Sequence, residues 1–251
     1  MEIENIEFSY GNHKVLDNIS FKVMEGGITT IIGANGCGKS TLFNVMTKNL
    51  KPQKGRIILN GMDIAGIPLK SFAKQVAIVH QYNTAPSDIT VEKLISYGRI
   101  AYGGLKRNHN EDEKCIKFAM EVTGVSEFSQ KQISALSGGQ RQRVWIAVAL
   151  AQNTKILLLD EPTTYLDIRY QIEILRLIKR LNVEYGITIV MVLHDINQSI
   201  AYSDCILAMK NGKIIAEGNP KNVISEDLLK KLYGIELKIE QTDNMSFVIT
   251  V

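Results

Sequence analysis

The stretch "ITTIIGANGCGKSTLFNVMT", residues 28–47, constrains the fold of this chain more than any other. Ile28 to Ile32 is short, β-branched and stopped by glycine, the pattern of a buried strand. Leu42, Phe43, Val45 and Met46 then recur with helical spacing. Between them Gly33 to Ser40 reads G-x-x-x-x-G-K-[ST], in the strand-to-helix context that this phosphate-binding loop requires. Gly33, Gly36 and Gly38 permit the tight turn and let backbone N–H groups close around phosphate oxygens. Lys39 is placed to reach β and γ phosphates, and the Ser40 hydroxyl to hold Mg²⁺. Asn35, Cys37 and Thr41 complete the candidate nucleotide-binding run. The flanking strand and helix argue against a chance glycine-rich turn. A helix N-terminus contributes roughly 0.3–1 kcal/mol, up to ~2 when partly buried. Micromolar binding needs about 8 kcal/mol, so lysine, magnesium and base contacts must supply the rest.

Other apolar runs extend the same architecture. "IENIEFSY" and "VLDNISFKV" alternate with a β period, whereas "KILLLDEP" (155–162) and "GITIVMVLHD" (186–195) are continuous strands ending in polar residues. With helices such as "RYQIEILRLIKRLN" between them, these predict a parallel sheet covered on both faces. Ligands gather at the carboxyl ends of such strands. Between the short strand "VAIVH" and Leu150 no comparable strand occurs. "TVEKLISYGRI" and "NEDEKCIKFAMEVTG" are helix-like, and "KRNHNEDEK" reads as a solvated face. One α/β domain over 1–251 is expected, with a core of 1–82 and 151–251 and a helical subdomain over 83–150. Residues 222–251 predict a short helix and two strands with no chemical signal.

Composition excludes more than it assigns. Net charge is +3, from 29 basic and 26 acidic side chains, too balanced for a nucleic-acid or acidic-lipid partner. The three cysteines, Cys37, Cys115 and Cys205, are odd in number and far apart, which fits a reducing compartment without disulfides. The acidic, alternating N-terminus is unlike a signal peptide, and no apolar run approaches the roughly 18 residues of a membrane span. A soluble chain is expected.

The strand at 155–160 delivers two acids, Asp160 and Glu161, to its carboxyl end. Asp160 suits the outer coordination of Mg²⁺, which keeps most of its waters. Glu161 suits acceptance of a proton from an attacking water, worth roughly 10²–10⁴ in rate. His194 ends another apolar strand where a γ-phosphate would lie, and Gln81 follows "VAIVH", its amide within reach of Mg²⁺ or the water. His13, His80 and His109 have no metal-ligand grouping and read as non-catalytic. In "ALSGGQRQRVWIAVALA" (135–151), Ser137 and Gln140 form an S-x-x-Q capping box before a buried helix. The box leaves Gly138 and Gly139 unexplained, since each costs about 1 kcal/mol against alanine in a helix interior. Bare backbone at a positive helix end suits an approaching anion. A second phosphate site follows.

"LSGGQ", preceded by the phosphate loop and followed by "LLLDEP", resembles the signature of ATP-binding cassette (ABC) ATPases, in the family's order and over nearly the whole chain. The resemblance implies a P-loop NTPase core of mostly parallel strands flanked by helices, an antiparallel N-terminal β-subdomain and an inserted α-helical subdomain. It further implies that Tyr10 stacks on adenine, that Gln81 is the Q-loop residue and His194 the switch histidine, and that Asp167 in "TTYLD" is the D-loop acid. Two copies would pair head to tail, with Ser137, Gly138, Gly139 and Gln140 serving the partner's ATP. A closer resemblance is to importer ATPases for iron–siderophore complexes, haem and cobalamin. There the implied partners are membrane permease subunits, an extracytoplasmic binding protein acts indirectly, and the location is the cytoplasmic membrane face. Ala34 and Ala101 depart from that group's commoner prolines. Soluble ABC proteins acting on ribosomes or DNA are the other class. They carry paired cassettes or long insertions, and this chain has neither.

Overall fold

The computed structural model describes residues 1–103, 108–241 and 246–249. Lys106 and Arg107 of the charged run lie outside the described residues. The chain begins β1 (Glu2–Tyr10), β2 (His13–Lys22), β3 (Ile28–Ile32), α1 (Lys39–Met46), β4 (Lys54–Leu59) and β5 (Met62–Asp63). It continues α2 (Leu69–Phe72), β6 (Val76–Val79), α3 (Val91–Ser96), α4 (His109–Thr123), α5 (Gly138–Ala151), β7 (Ile156–Asp160) and α6 (Ile168–Tyr185). It closes with β8 (Thr188–Val192), α7 (Ile196–Tyr202), β9 (Cys205–Lys210), β10 (Lys213–Gly218), α8 (Pro220–Val223), α9 (Glu226–Tyr233), β11 (Lys238–Gln241) and β12 (Ser246–Ile249). This is the expected α/β fold, with parallel strands, an antiparallel N-terminal sheet and helices α3 to α5 inserted between β6 and β7.

Two compact units form. The first comprises Met1–Ile67 and Thr188–Val251. Here β1 pairs antiparallel with β2 and β4. Its alternation is interrupted: Ile3 and Ile6 are both buried although three positions apart, because Asn5 sits at φ 51 where the register shifts. In the same unit β3 lies between β8 and β9, parallel to both, and every residue of β3 and β8 is buried. That two-sided burial is why both read as unbroken apolar runs. Ile32, Ile206 and Ala208 at these strands share a core with Leu228, Leu229 and Leu232 of α9 and with Val248 of β12.

The second unit is Pro68–Ile187. Its strands β6 and β7 pair in parallel, Val76 opposite Ile156 through Val79 opposite Leu159. Helix α6 starts on the Asp167 cap, stops on a left-handed Gly186, and buries Ile174, Leu175, Leu177, Ile178 and Leu181. Arg99, 1 % exposed, lies at the centre of the helical part. Its Nε donates to Asp112 Oδ1 at 2.7 Å, and one terminal nitrogen donates to the Ala151 carbonyl at 3.0 Å. The guanidinium covers the Tyr102 ring at 3.8 Å. No described helix is long and apolar enough to cross a membrane.

Candidate functional site

In the first unit the turn after β3 becomes the phosphate loop. Gly33, Gly36 and Gly38 take φ of 151, 76 and 107, which explains their identity. A Cβ on Gly33 would also lie 2.3 Å from the Met209 carbonyl oxygen. Lys39 is buried, and its Nζ donates to the carbonyls of Gly33 at 2.7 Å and Ala34 at 3.1 Å. The ammonium is thereby held at the loop. Ser40 and Thr41 follow in the first turn of α1, and Asn35 lies in the loop before Gly36. The Cys37 thiol faces inward, 6 % exposed, and burial pushes its pKa up. Because β8 is the parallel neighbour of β3, His194 leaves the sheet at the same end as the loop. It is exposed and directly precedes Asp195, the cap of α7. Tyr10 ends β1 with its ring half exposed and edge-on to Phe8 at 4.9 Å.

In the second unit Asp160 is buried at the end of β7, and Glu161 follows on a left-handed backbone, φ 50. Non-glycine residues there carry strain of about 1–3 kcal/mol, which persists only where surroundings enforce it. The enforcing contacts are present. Gln81 Nε2 donates to Glu161 Oε2 at 2.6 Å, and Thr164 Oγ1 donates to the same oxygen at 3.0 Å. Gln81 and Glu161, eighty positions apart, are thus bonded directly, whereas the sequence places each only near the attacking water. Thr164 was not among the expected site residues, because a threonine within "EPTTYLD" has no spacing that marks it. The next residues form a parallel link, with the Tyr82 and Tyr165 hydroxyls 2.8 Å apart.

The capping box at α5 is complete: Ser137 Oγ accepts the Gln140 N–H at 3.3 Å and Gln140 Oε1 accepts the Ser137 N–H at 2.9 Å. The two glycines separate here. A Cβ on Gly139 would stand 2.6 Å from the Tyr170 ring, so its identity has a reason inside the chain and phosphate is not required to explain it. Gly138 would meet only Leu166 at 3.5 Å, ordinary contact, and keeps the original puzzle. Asp167 likewise has a local task, accepting the Tyr170 N–H at 3.2 Å.

Each unit thus presents part of what a nucleotide hydrolase needs: a glycine-rich loop with an anchored lysine in the first, a strand-end carboxylate held by glutamine and threonine in the second. Residues 16–164 match the model of the ABC transporter family. The Iron(3+)-hydroxamate import ATP-binding protein FhuC of Bacillus subtilis (strain 168) is 45% identical over 95% of this chain and 89% of its own length. Ferric enterobactin transport ATP-binding protein FepC of Escherichia coli (strain K12) is 41% identical over 94% of this chain and 88% of its own. A solved structure, the dimeric structure of MJ0796, a bacterial ABC transporter cassette, superposes with TM-score 0.76 at 28% identity over 87% of this chain and 98% of that one. The chain belongs to the ABC transporter family, as an ATP-binding, ATP-hydrolysing member.

Proposed function

We propose that this chain is the ATPase subunit of an importer for an iron–siderophore complex or a related metal chelate, acting through a separate membrane permease. The observation that carries the reading is the 45% identity to an iron–hydroxamate import ATP-binding protein over 95% of the chain. Enterobactin and hydroxamate carriers match to similar degrees, which supports the chelate class and no single compound. Haem or cobalamin import is the second reading, favoured only by the sequence resemblance to those importers.

In this reading Tyr10 stacks on the adenine. Asn35 to Thr41 enclose the phosphates, with Lys39 neutralising charge on the β and γ groups. Glu161, oriented by Gln81 and Thr164, takes the proton of the attacking water. His194 and Gln81 order the γ-phosphate. The proposed Mg²⁺ site uses the Ser40 hydroxyl, the Gln81 amide oxygen and, in the outer coordination, the Asp160 carboxylate, a set of hard oxygen donors as that ion requires. Magnesium, when bound, supplies charge stabilisation to the transferring phosphoryl group. Ser137, Gly138, Gly139, Gln140 and Asp167 serve the ATP of a second copy paired head to tail. The dimeric MJ0796 cassette supports that pairing. The helical subdomain, residues 83–150, engages the permease at the cytoplasmic membrane face, and an extracytoplasmic binding protein delivers the chelate.

The test is reconstitution in vesicles with the permease that co-purifies with the chain. Binding protein loaded with a ferric siderophore is expected to raise ATP hydrolysis. Stimulation by haem or cobalamin alone selects the second reading, and co-purification of ribosomal RNA or DNA in place of a permease overturns transport.

A further inference from the structure

The last residues of the chain, silent in sequence, reach the back of the phosphate loop and the His194 turn, both within the first unit. Helix α9 is seated on Ile32, the residue just before Gly33. At its end Tyr233 packs on the same core, with its hydroxyl toward the Gly33 backbone N–H. Burial holds this phenol at about 12, so it remains a neutral hydroxyl at physiological pH. Gly33 is therefore flanked on both sides: its N–H faces Tyr233, and its carbonyl, in the following peptide, accepts from Lys39 at 2.7 Å.

The second contact comes from β12. Asn197 Nδ2 donates to the Val248 carbonyl at 3.1 Å, and the Val248 N–H donates to Asn197 Oδ1 at 2.8 Å. Such a two-way amide pair fixes orientation as well as distance. Asn197 lies in the first turn of α7, whose cap Asp195 accepts the Gln198 N–H at 2.7 Å. His194 is the next residue. The segment is also joined to itself, because Glu226 Oε1 at the start of α9 accepts the Ile239 N–H of β11 at 3.1 Å. Helix and strands can thus act as one brace.

We infer that α9 with the paired strands β11 and β12 is a positioning element for the nucleotide site: Tyr233 sets Gly33, whose carbonyl anchors Lys39, and the Asn197–Val248 pair sets the turn that carries His194. This rests on the reading above in which Lys39 and His194 act on ATP. The two contacts should divide their effects, since one supports phosphate binding and the other γ-phosphate ordering.

Tyr233→Phe removes one oxygen and keeps the ring on the sheet. It is expected to raise the Kd for ATP roughly fivefold, about one hydrogen bond's worth. It should also speed alkylation of Cys37 by N-ethylmaleimide and leave kcat within about twofold. Asn197→Ala is expected to lower kcat roughly fivefold at unchanged Kd. Parent values of Kd, kcat and thiol reactivity in these variants overturn the inference, and so does a lowered Tm with those three unchanged, which assigns the segment to packing alone. Should Asn197→Ala not fold, Tyr233→Phe decides by itself. Lys39→Ala separates the two layers. ATP binding lost there, with Tyr233→Phe like the parent, overturns the brace only. ATP binding kept in Lys39→Ala overturns the functional reading beneath it.

Discussion

Glu161 bears its carboxylate on a left-handed backbone, with one oxygen receiving both Gln81 and Thr164. A group held this way needs no reorientation to accept a proton, which is the physical basis for assigning it that task. Glu161→Gln keeps the shape and removes the basicity. Turnover should fall a hundredfold or more while ATP binding persists, and full turnover in a steady-state phosphate-release assay would remove Glu161 from the mechanism. The second residue-scale case is Cys37. The thiolate is the reactive form, and burial raises the pKa of this thiol. Alkylation should be slower at neutral pH than for an exposed cysteine and should accelerate as pH rises beyond the ordinary thiol range. ATP should protect, and inhibition should vanish in Cys37→Ser. Inhibition persisting in that variant would place the sensitive thiol elsewhere.

At the scale of elements, α5 separates two explanations that the sequence merged. Gly138 occupies its first position with ordinary clearance, so Gly138→Asp adds a carboxylate where a helix start favours negative charge. Stability should hold or rise slightly, yet hydrolysis should be lost if phosphate approaches this end from a second copy. Hydrolysis at the parent rate would leave only the capped helix. Gly139→Asp is a poorer probe, because it must first displace the Tyr170 ring. The 3₁₀ turn Tyr97–Tyr102 makes a different point. Arg99 within it is interior and bonded to Asp112, itself 4 % exposed. Arg99→Met would remove the guanidinium bonded to that buried carboxylate, at a cost of about 3–5 kcal/mol. Thermal melting should show a drop of about 10 °C. An unchanged Tm would mean that water reaches Asp112.

For the whole molecule, the expected behaviour is association controlled by nucleotide. Glu161→Gln with ATP should sediment as a dimer, and adding Gly138→Asp should return it to monomer, because only the second change strikes the partner's phosphate. A monomer in both cases would remove pairing from the mechanism. This readout concerns mass alone, so it separates assembly from catalysis.

Local physics made much of this protein legible from residues 28–47, 135–151 and 155–162. A strand, a glycine turn, a helix cap and a strand-end acid pair are set by neighbours within a few positions, and side-chain periodicity reports them directly. The fold class and the phosphate loop followed from those runs. What tertiary structure decided joins positions far apart: Tyr170 beside Gly139, Gln81 on Glu161, Arg99 beneath Asp112, Tyr233 behind Gly33. No period or spacing encodes such pairs, since each depends on how separate elements come to rest against one another. The chain's last residues illustrate the limit. Their helix and strands were readable, but that they lie behind the phosphate loop was settled only when α9 buried its leucines against Ile32.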